Sequence, residues 1–204
     1  MKKALSLLIF VAAFSLFFIS STNAFAVIFE WPIADGGNGH FYEQVKDSAS
    51  WTDARDAAAS RTYQGVSGYL ATIGSALENQ FLVDHFEVDH DWIGGFQFDK
   101  LDEPAGDWRW VTDESWSYTN WFAPQEPNES GGPEDYAIFV GSDHSDGTLE
   151  GQWQDWKLFG DFQPHRVAPL GYFVEYESTI VPEPSTMPLV LYGLFGLPLV
   201  RRKK

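Results

Sequence analysis

Two helix patterns lie before residue 86 of this 204-residue chain, and strand-like segments occupy most of the remaining sequence. Ser50-Trp51-Thr52-Asp53 and Ser75-Ala76-Leu77-Glu78 have the residue order of helix capping boxes, and their helices are predicted to end near Ser60 and His85. Helices followed by strands, rather than alternating with them, predict an α+β fold. The residues expected to point into the core are Trp51, Ala54 and Ala58 on the first helix and Leu77 and Phe81 on the second.

Composition limits the function classes. Aromatic residues make up 17% of the chain, so a middle domain of roughly 150 residues can bury a substantial core. The net charge is −16, which argues against nucleic acid or an anionic membrane surface as a partner. The absence of cysteine excludes disulfides, thiolate catalysis and cysteine-bound metals. The sequence has no nucleophile-elbow, P-loop or dinucleotide-binding motif, so we do not expect an enzyme.

The amino terminus has the pattern of an export signal. Lys2 and Lys3 precede an apolar run over residues 4–19, and Ala24-Phe25-Ala26 supplies the small residues that a signal peptidase recognises. These features predict a secretory signal peptide over residues 1–26. An uncleaved membrane anchor is the alternative, which the polar residues 20–23 and the small-residue site disfavour.

The segment from Gln125 to Trp156 is rich in oxygen-bearing side chains. Carboxylates and carboxamides alternate there with glycine and proline, as in Gln125-Glu126-Pro127-Asn128 and Gly131-Gly132-Pro133. Oxygen ligands on a bent backbone are what a hard cation such as calcium binds. The segment therefore predicts a calcium site, and an acidic surface loop without metal is the alternative.

Several aromatic motifs occur in one particular order. The motifs are Trp92-Ile93-Gly94-Gly95, Gly106-Asp107-Trp108-Arg109-Trp110, Tyr118-Thr119-Asn120-Trp121, Glu126-Pro127-Asn128 and Trp153-Gln154-Asp155-Trp156. Their order resembles that of a C-type lectin-like domain, over about residues 40–177 of a domain at 27–180. The resemblance implies two helices, antiparallel sheets, a long loop, and a last strand at 172–176 that pairs with a first strand at 40–45. It also implies that apolar pairs replace the family's two disulfides: Ala58 with Val174, and Tyr136 with Leu158.

The same resemblance implies a ligand set. In the family a calcium ion binds at this loop and holds a sugar, and a cis peptide precedes the proline of Glu126-Pro127-Asn128. Gln154 stands where the family has Asn, which moves the amide oxygen about 1.5 Å further from the backbone. The Glu-Pro-Asn order resembles that of lectins which prefer mannose, glucose or fucose. The metal ligands so implied are Glu126, Asn128, Glu134, Gln154 and Asp155. The implied carbohydrate-binding residues are these five and Trp156. By the same resemblance, an auxiliary calcium site would be formed by Asp102, Glu129 and Asp135.

The carboxyl terminus resembles a second kind of signal. Val181, Pro182, Glu183 and Pro184 precede an apolar run over 187–200 and a basic tail, in the order of the PEP-CTERM signals that exosortases process in Gram-negative bacteria. A helix of that run would span about 21 Å, short of a bilayer core of about 30 Å. The expected sorting signal at 181–204 therefore implies transient membrane association, an exosortase partner, and delivery to the cell surface, outer membrane or extracellular matrix. A plain short anchor is the alternative.

Two functions of different classes are implied by these resemblances. The first is an extracellular carbohydrate-binding module, calcium-dependent, whose partners are glycans or exopolysaccharide. The second is a calcium-independent, lectin-like structural or protein-binding protein of the matrix. The Gln154 substitution favours the second, and the other four ligand positions together favour the first.

Overall fold

The computed structural model describes five stretches of the chain, 26–99, 103–128, 132–141, 149–158 and 171–179. The expected sorting segment, nearly all of the expected signal peptide, and the auxiliary-site residues Asp102 and Glu129 lie outside them. Within these stretches, no helix is both long enough and apolar enough to cross a membrane.

Both predicted helices are present. Helix α1 spans Trp51–Ser60 and helix α2 spans Ala76–His85. The Ser50 hydroxyl accepts a hydrogen bond from the Asp53 amide at 3.1 Å, and the Ser75 hydroxyl accepts one from the Glu78 amide at 3.1 Å. Each serine satisfies an amide that has no partner within its helix, so the capping prediction is confirmed.

Ten strands accompany the helices in the described residues. They are β1 (Ile28–Glu30), β2 (Phe41–Val45), β3 (Thr62–Tyr63), β4 (Val66–Ser67), β5 (Tyr69–Leu70), β6 (Asp91–Gln97), β7 (Trp108–Trp110), β8 (Tyr136–Phe139), β9 (Trp153–Trp156) and β10 (Gly171–Tyr176). A short 3₁₀ turn at Ile33–Asp35 comes after β1. The main sheet has the order β1-β2-β10-β6-β8-β9, while β5 also pairs with β10, β7 pairs with β6, and β3 and β4 form a separate hairpin.

The last strand closes the domain on the first predicted one. β10 runs antiparallel to β2, with Tyr172 opposite Val45 and Tyr176 opposite Phe41, as the resemblance implied. The sheet is not wholly antiparallel, however, because β10 and β6 run parallel. The insertion of β10 between β2 and β6 produces this pair, and the chain supplies the needed crossover through the long segment between β6 and β10.

The main sheet carries an apolar cluster on each face. Phe173 of β10 belongs to one cluster and its neighbours Tyr172 and Val174 to the other, as strand alternation requires. Helix α2 supplies Phe81 to the first cluster and α1 supplies Trp51 to the second. The two helices therefore cover opposite faces of the sheet, and the α+β expectation is confirmed.

The inward face of α2 differs from the expected one. Phe81 is buried as predicted, but Leu77 is 65% exposed, so its predicted inward orientation is wrong. Glu78 and Asn79 are buried instead, with 5% and 6% of their surfaces exposed. Their side chains have hydrogen-bonding partners on distant strands, and these partners compensate for the loss of water around buried polar groups.

Packing occupies the positions where the resemblance places disulfides. Ala58 and Val174 are fully buried in the same cluster, and Tyr136 and Leu158 pack against it. The first pair joins α1 to β10, and the second joins β8 to the segment directly after β9.

A partly buried ionic network also secures the end of α1. The Arg61 guanidinium donates to both carboxylate oxygens of Glu43, at 2.5 and 3.1 Å, and the Tyr176 hydroxyl donates to Glu43 at 2.5 Å. Burial disfavours the ionised form of Glu43, but these hydrogen bonds outweigh it, and the pKa of Glu43 lies below its ordinary value. The network joins α1 to β2 and β10.

We expect the substitution Val174→Ala to lower the free energy of unfolding by about 2 kcal/mol, because it leaves a cavity between α1 and β10. Chemical denaturation monitored by tryptophan fluorescence measures the change. Val27→Ala is the matched control, since Val27 is 62% exposed and its truncation should change stability by no more than about 0.5 kcal/mol. Equal effects of the two substitutions would contradict a packing role for Val174.

Candidate ligand-binding site

The candidate site is built on β9, the edge strand that carries Gln154 and Asp155. Trp153 anchors this strand, since its ring is fully buried and its Nε1 donates to the Asn79 Oδ1 of α2 at 2.9 Å. The ring also meets Trp110 edge-on, with 5.6 Å between the ring centroids. The strand is thereby fixed from the core side before any ligand is considered.

The segment before the Glu-Pro-Asn triplet lies along the outer edge of β9. The Trp153 amide donates to the Asn120 carbonyl at 2.8 Å, and the Phe122 amide donates to the Trp153 carbonyl at 3.0 Å. Further along, the Asn128 amide donates to both carboxylate oxygens of Asp155, at 2.9 and 3.1 Å. Main-chain contacts therefore bring two candidate ligand residues together, although 27 positions separate them in sequence.

The peptide bond between Glu126 and Pro127 is cis, as the resemblance implied. Glu126 is half-buried and Asn128 is exposed. The other candidate ligands are buried: Glu134, Gln154 and Asp155 are 3%, 5% and 2% exposed.

Strand register decides where one ion could contact both Gln154 and Asp155. In the β8–β9 pair, Ile138 lies opposite Gln154 and Ala137 opposite Asp155. Successive side chains of a strand point to opposite faces, so Gln154 and Asp155 do not share a face. An ion contacted by both side chains would therefore lie at the strand's outer edge, which is where the Glu126–Asn128 segment runs.

The donor set fits calcium in its chemistry. Three carboxylates and two carboxamides offer only oxygen, the ligand type that calcium prefers. In the described residues, however, no three His, Cys, Asp or Glu side chains stand close enough together to hold a metal ion. Asp135 of the expected auxiliary site is half-buried beside β8. The structure thus assembles the edge of the site through Asn128 and Asp155, and does not bring its carboxylates into one cluster.

Trp156 lies in the core rather than at the surface. Its residue is 8% exposed and belongs to the cluster that contains Trp92, and the His90 ring meets it edge-on at 5.8 Å between centroids. This burial disagrees with the expectation that Trp156 is one of the carbohydrate-binding residues.

Two asparagines outside the predicted ligand set position β9. The side-chain amides of Asn79 and Asn120 both donate to the Gly151 carbonyl, at 2.9 and 2.7 Å. Gly151 adopts φ of 82°, in the left-handed region that favours glycine, and a Cβ there would approach a Val83 methyl to 2.7 Å. The sequence signal for Asn120 was its place in Tyr118-Thr119-Asn120-Trp121, but only the structure shows what it contacts.

Solved structures match this architecture. The C-type carbohydrate-recognition domain of cow CD23, solved in the presence of a GlcNAc2Man3 oligosaccharide, superposes with a TM-score of 0.51 at 25% identity, covering 69% of this chain and 90% of that domain. The C-type lectin CEL-I from Cucumaria echinata superposes with a TM-score of 0.52 at 23% identity, covering 69% and 91%. This chain has the C-type lectin-like fold.

Relatives in sequence agree with the C-type lectin-like fold. Halomucin of Haloquadratum walsbyi is 34% identical over 124 residues, which are 61% of this chain and 1% of halomucin. Mouse asialoglycoprotein receptor 2 is 32% identical over 115 residues, which are 53% of this chain and 34% of the receptor. The alignments thus span about a third or less of these relatives. No family model matches the chain.

We expect Asp155→Ala to increase the rate of amide exchange at Asn128 by roughly tenfold or more in calcium-free buffer. The substitution removes the charged acceptor of that amide, and hydrogen bonds to charged groups contribute about 1.5–3 kcal/mol. Hydrogen exchange read by mass spectrometry of peptides covering 125–132 measures the effect. Glu150→Ala is the control, because Glu150 is an exposed acid at the turn before β9. Unchanged exchange in Asp155→Ala would mean that this contact does not hold the loop.

Proposed function

We propose that the chain is an extracellular carbohydrate-binding module whose site lies at the outer edge of β9. The observation that carries this proposal is the contact between the Asn128 amide and the Asp155 carboxylate, which lays the Glu-Pro-Asn segment beside the strand. The C-type lectin-like fold and the carbohydrate-recognition domain of CD23, solved with an oligosaccharide, support it. Binding rather than catalysis also agrees with the absence of a nucleophile motif in the sequence.

Calcium dependence is part of the proposal. The residues that would hold the ion are Glu126, Asn128, Glu134, Gln154 and Asp155. When bound, calcium would supply a Lewis-acidic centre to which two adjacent sugar hydroxyls can bind in place of water. The side chains of Glu126 and Asn128 would accept and donate hydrogen bonds to the same hydroxyls, because one is a pure acceptor and the other carries both groups. The Glu-Pro-Asn order supports a mannose, glucose or fucose type of ligand.

A calcium-independent, lectin-like structural or protein-binding role is the second candidate. Two observations favour it: Gln154 departs from the family's asparagine, and the carboxylates do not form a metal-binding cluster in the described residues. Such a protein would present the same fold to a matrix component without using the β9 edge as a metal site.

We expect calcium to bind the full-length protein saturably, and the double substitution Glu126→Ala, Asn128→Ala to reduce the affinity at least a hundredfold, since it removes two of five ligand side chains. Isothermal titration calorimetry measures the binding, and a glycan array with and without chelator measures its consequence. Glu150→Ala is the matched control and should leave the affinity unchanged.

Gln154→Asn adds a gain-of-affinity arm to the same titration. The shorter side chain places the amide oxygen where the family has it. Calcium affinity should therefore rise if the side chain at position 154 is a calcium ligand. No heat of binding and no calcium-induced rise in melting temperature would reject calcium dependence and leave the protein-binding role. Glycan binding that persists in chelator would reject calcium dependence but agree with the proposed carbohydrate binding.

We further propose that the domain is exported and sorted. The signal peptide at 1–26 and the PEP-CTERM resemblance at 181–204 support export, exosortase processing with transient membrane association, and delivery to the surface or extracellular matrix of a Gram-negative bacterium. Intact-mass analysis of the protein recovered from its native cells should show loss of residues 1–24 or 1–26 and cleavage near Val181–Pro184. A recovered protein that retains the basic tail would show a simple anchor instead.

A further inference from the structure

A cluster of titratable groups, three of them buried, lies beneath the first turn of α2, and we call Glu78, Glu175, Tyr42 and His40 the acid cluster. Tyr42 on β2 is fully buried, and its hydroxyl stands 2.5 Å from Oε1 of Glu78 and 3.2 Å from Oε1 of Glu175. The Nδ1 of His40 lies 2.6 Å from the same Glu175 oxygen. Strands β2 and β10, the residue before β2, and helix α2 thus meet at these two carboxylates.

The outer oxygens of the two carboxylates already have donors. Oε2 of Glu78 accepts from the Gly74 amide at 2.7 Å, and Oε2 of Glu175 accepts from the amide and hydroxyl of Thr72 at 2.9 and 3.0 Å. The two inner oxygens both face the Tyr42 hydroxyl, which has a single proton to donate. When both carboxylates are ionised, Tyr42 can donate to only one of them. The inner oxygen that it does not reach depends on its second donor, which is the Asn38 side-chain amide at 3.3 Å for Glu78 or His40 Nδ1 at 2.6 Å for Glu175. Two negative charges then face each other in a buried site, which disfavours the doubly ionised state.

One added proton completes the arrangement. A protonated Glu78 donates to the Tyr42 oxygen, Tyr42 donates to Glu175, and the Nδ1–H of His40, which the neutral ring can also carry, donates to the same Glu175 oxygen. The side-chain amide of Asn38 donates to the Tyr42 oxygen at 2.9 Å, which that oxygen can accept with its second lone pair. Every inner polar atom then has a partner, so the buried groups compensate one another.

The surroundings favour this protonated form. Burial, together with the charge of Glu175, raises the pKa of Glu78 to about 7. The hydrogen bond to Glu175 raises the pKa of His40 against the effect of burial, and burial holds the pKa of Tyr42 well above its ordinary value. The other titratable groups that act on the cluster are Tyr69 on β5, whose own pKa is raised by burial, Glu114 from the segment after β7, and Glu177 after β10.

The cluster is linked to β9 through the next residue of α2. Asn79 comes directly after Glu78, and its side chain donates to the Gly151 carbonyl and accepts from Trp153 Nε1, both at 2.9 Å. The first turn of α2 thus contacts the acid cluster with one side chain and the turn into β9 with the next. A displacement of this turn would therefore alter the contacts of both residues.

We propose that the acid cluster is a proton-operated latch, in which one proton shared by Glu78 and Tyr42 holds α2 against β2 and β10, and its loss loosens α2 and the turn into β9. The direction is given by linkage. Because the folded protein binds this proton more tightly than the unfolded chain does, the stabilisation is complete below about pH 4.5 and is lost as the pH rises through 7. His40 titrates in the same direction.

Hydrogen exchange of the full-length protein in chelator tests the latch. After correction for intrinsic exchange, protection of the α2 amides should fall about tenfold between pH 6 and pH 8, the change expected for one proton released near pH 7. Glu78→Gln mimics the protonated side chain, so only the smaller pH dependence that His40 contributes remains, and protection should fall less than threefold over that range. Glu87→Gln is the matched control, since Glu87 is exposed just beyond α2, and it should retain the tenfold change.

Three outcomes would overturn the proposal: a wild-type protection that is independent of pH, a Glu78→Gln variant that keeps the tenfold change, or a Glu87→Gln variant that loses it. Should Glu78→Gln fail to fold, Glu175→Gln takes its place, because removing the neighbouring charge should bring the pKa of Glu78 down and move the loss of protection to lower pH. No calcium or sugar enters the measurement, so its result is independent of the proposed carbohydrate binding.

Discussion

The position of β9 relative to the helices depends on Asn79, a buried side chain of α2. Asn79 of α2 uses both ends of its amide, donating to the Gly151 carbonyl and accepting from the Trp153 indole. Removing one partner of a buried hydrogen bond costs about 1–3 kcal/mol, so each bond constrains the other and the helix cannot shift along the strand without losing both. The edge on which the candidate site is built is therefore positioned by α2, across the aromatic cluster that surrounds Trp153.

Noncovalent contacts join segments that are distant in sequence at the positions where the resemblance places disulfides. Ala58 and Val174 pack α1 onto β10, while Glu43 receives hydrogen bonds from Arg61 and Tyr176 at the end of the same helix. An apolar pair contributes through burial and is indifferent to reducing conditions, whereas a disulfide acts mainly by restricting the unfolded chain. The contacts that replace the disulfides therefore stabilise the folded state itself. A substitution that leaves a cavity or an unpaired carboxylate among them lowers the free energy of unfolding directly.

Structural features that depend on residues close in sequence could be predicted. Features that depend on contacts with residues distant in sequence could not. Ser50 and Ser75 indicate their helices because capping is a contact within four residues, and the motif order placed Asp155 beside the Glu-Pro-Asn segment. The inward face of α2 was mistaken because apolarity favoured Leu77, while the buried Glu78 has a distant partner, Tyr42, on β2. The burial of Trp156 likewise depends on a cluster whose other members, such as Trp92, are distant in sequence.

The contact between Asn128 and Asp155 orders the Glu-Pro-Asn segment at the β9 edge. The same contact fixes the backbone of Asn128 before any ligand arrives, which reduces the ordering cost of binding. A site prepared in this way still offers a sugar few contacts, because Trp156 is buried and does not provide an aromatic face. Single-site affinity would accordingly be low, and retention on a polymer would depend on many copies of the domain or many repeats of the sugar.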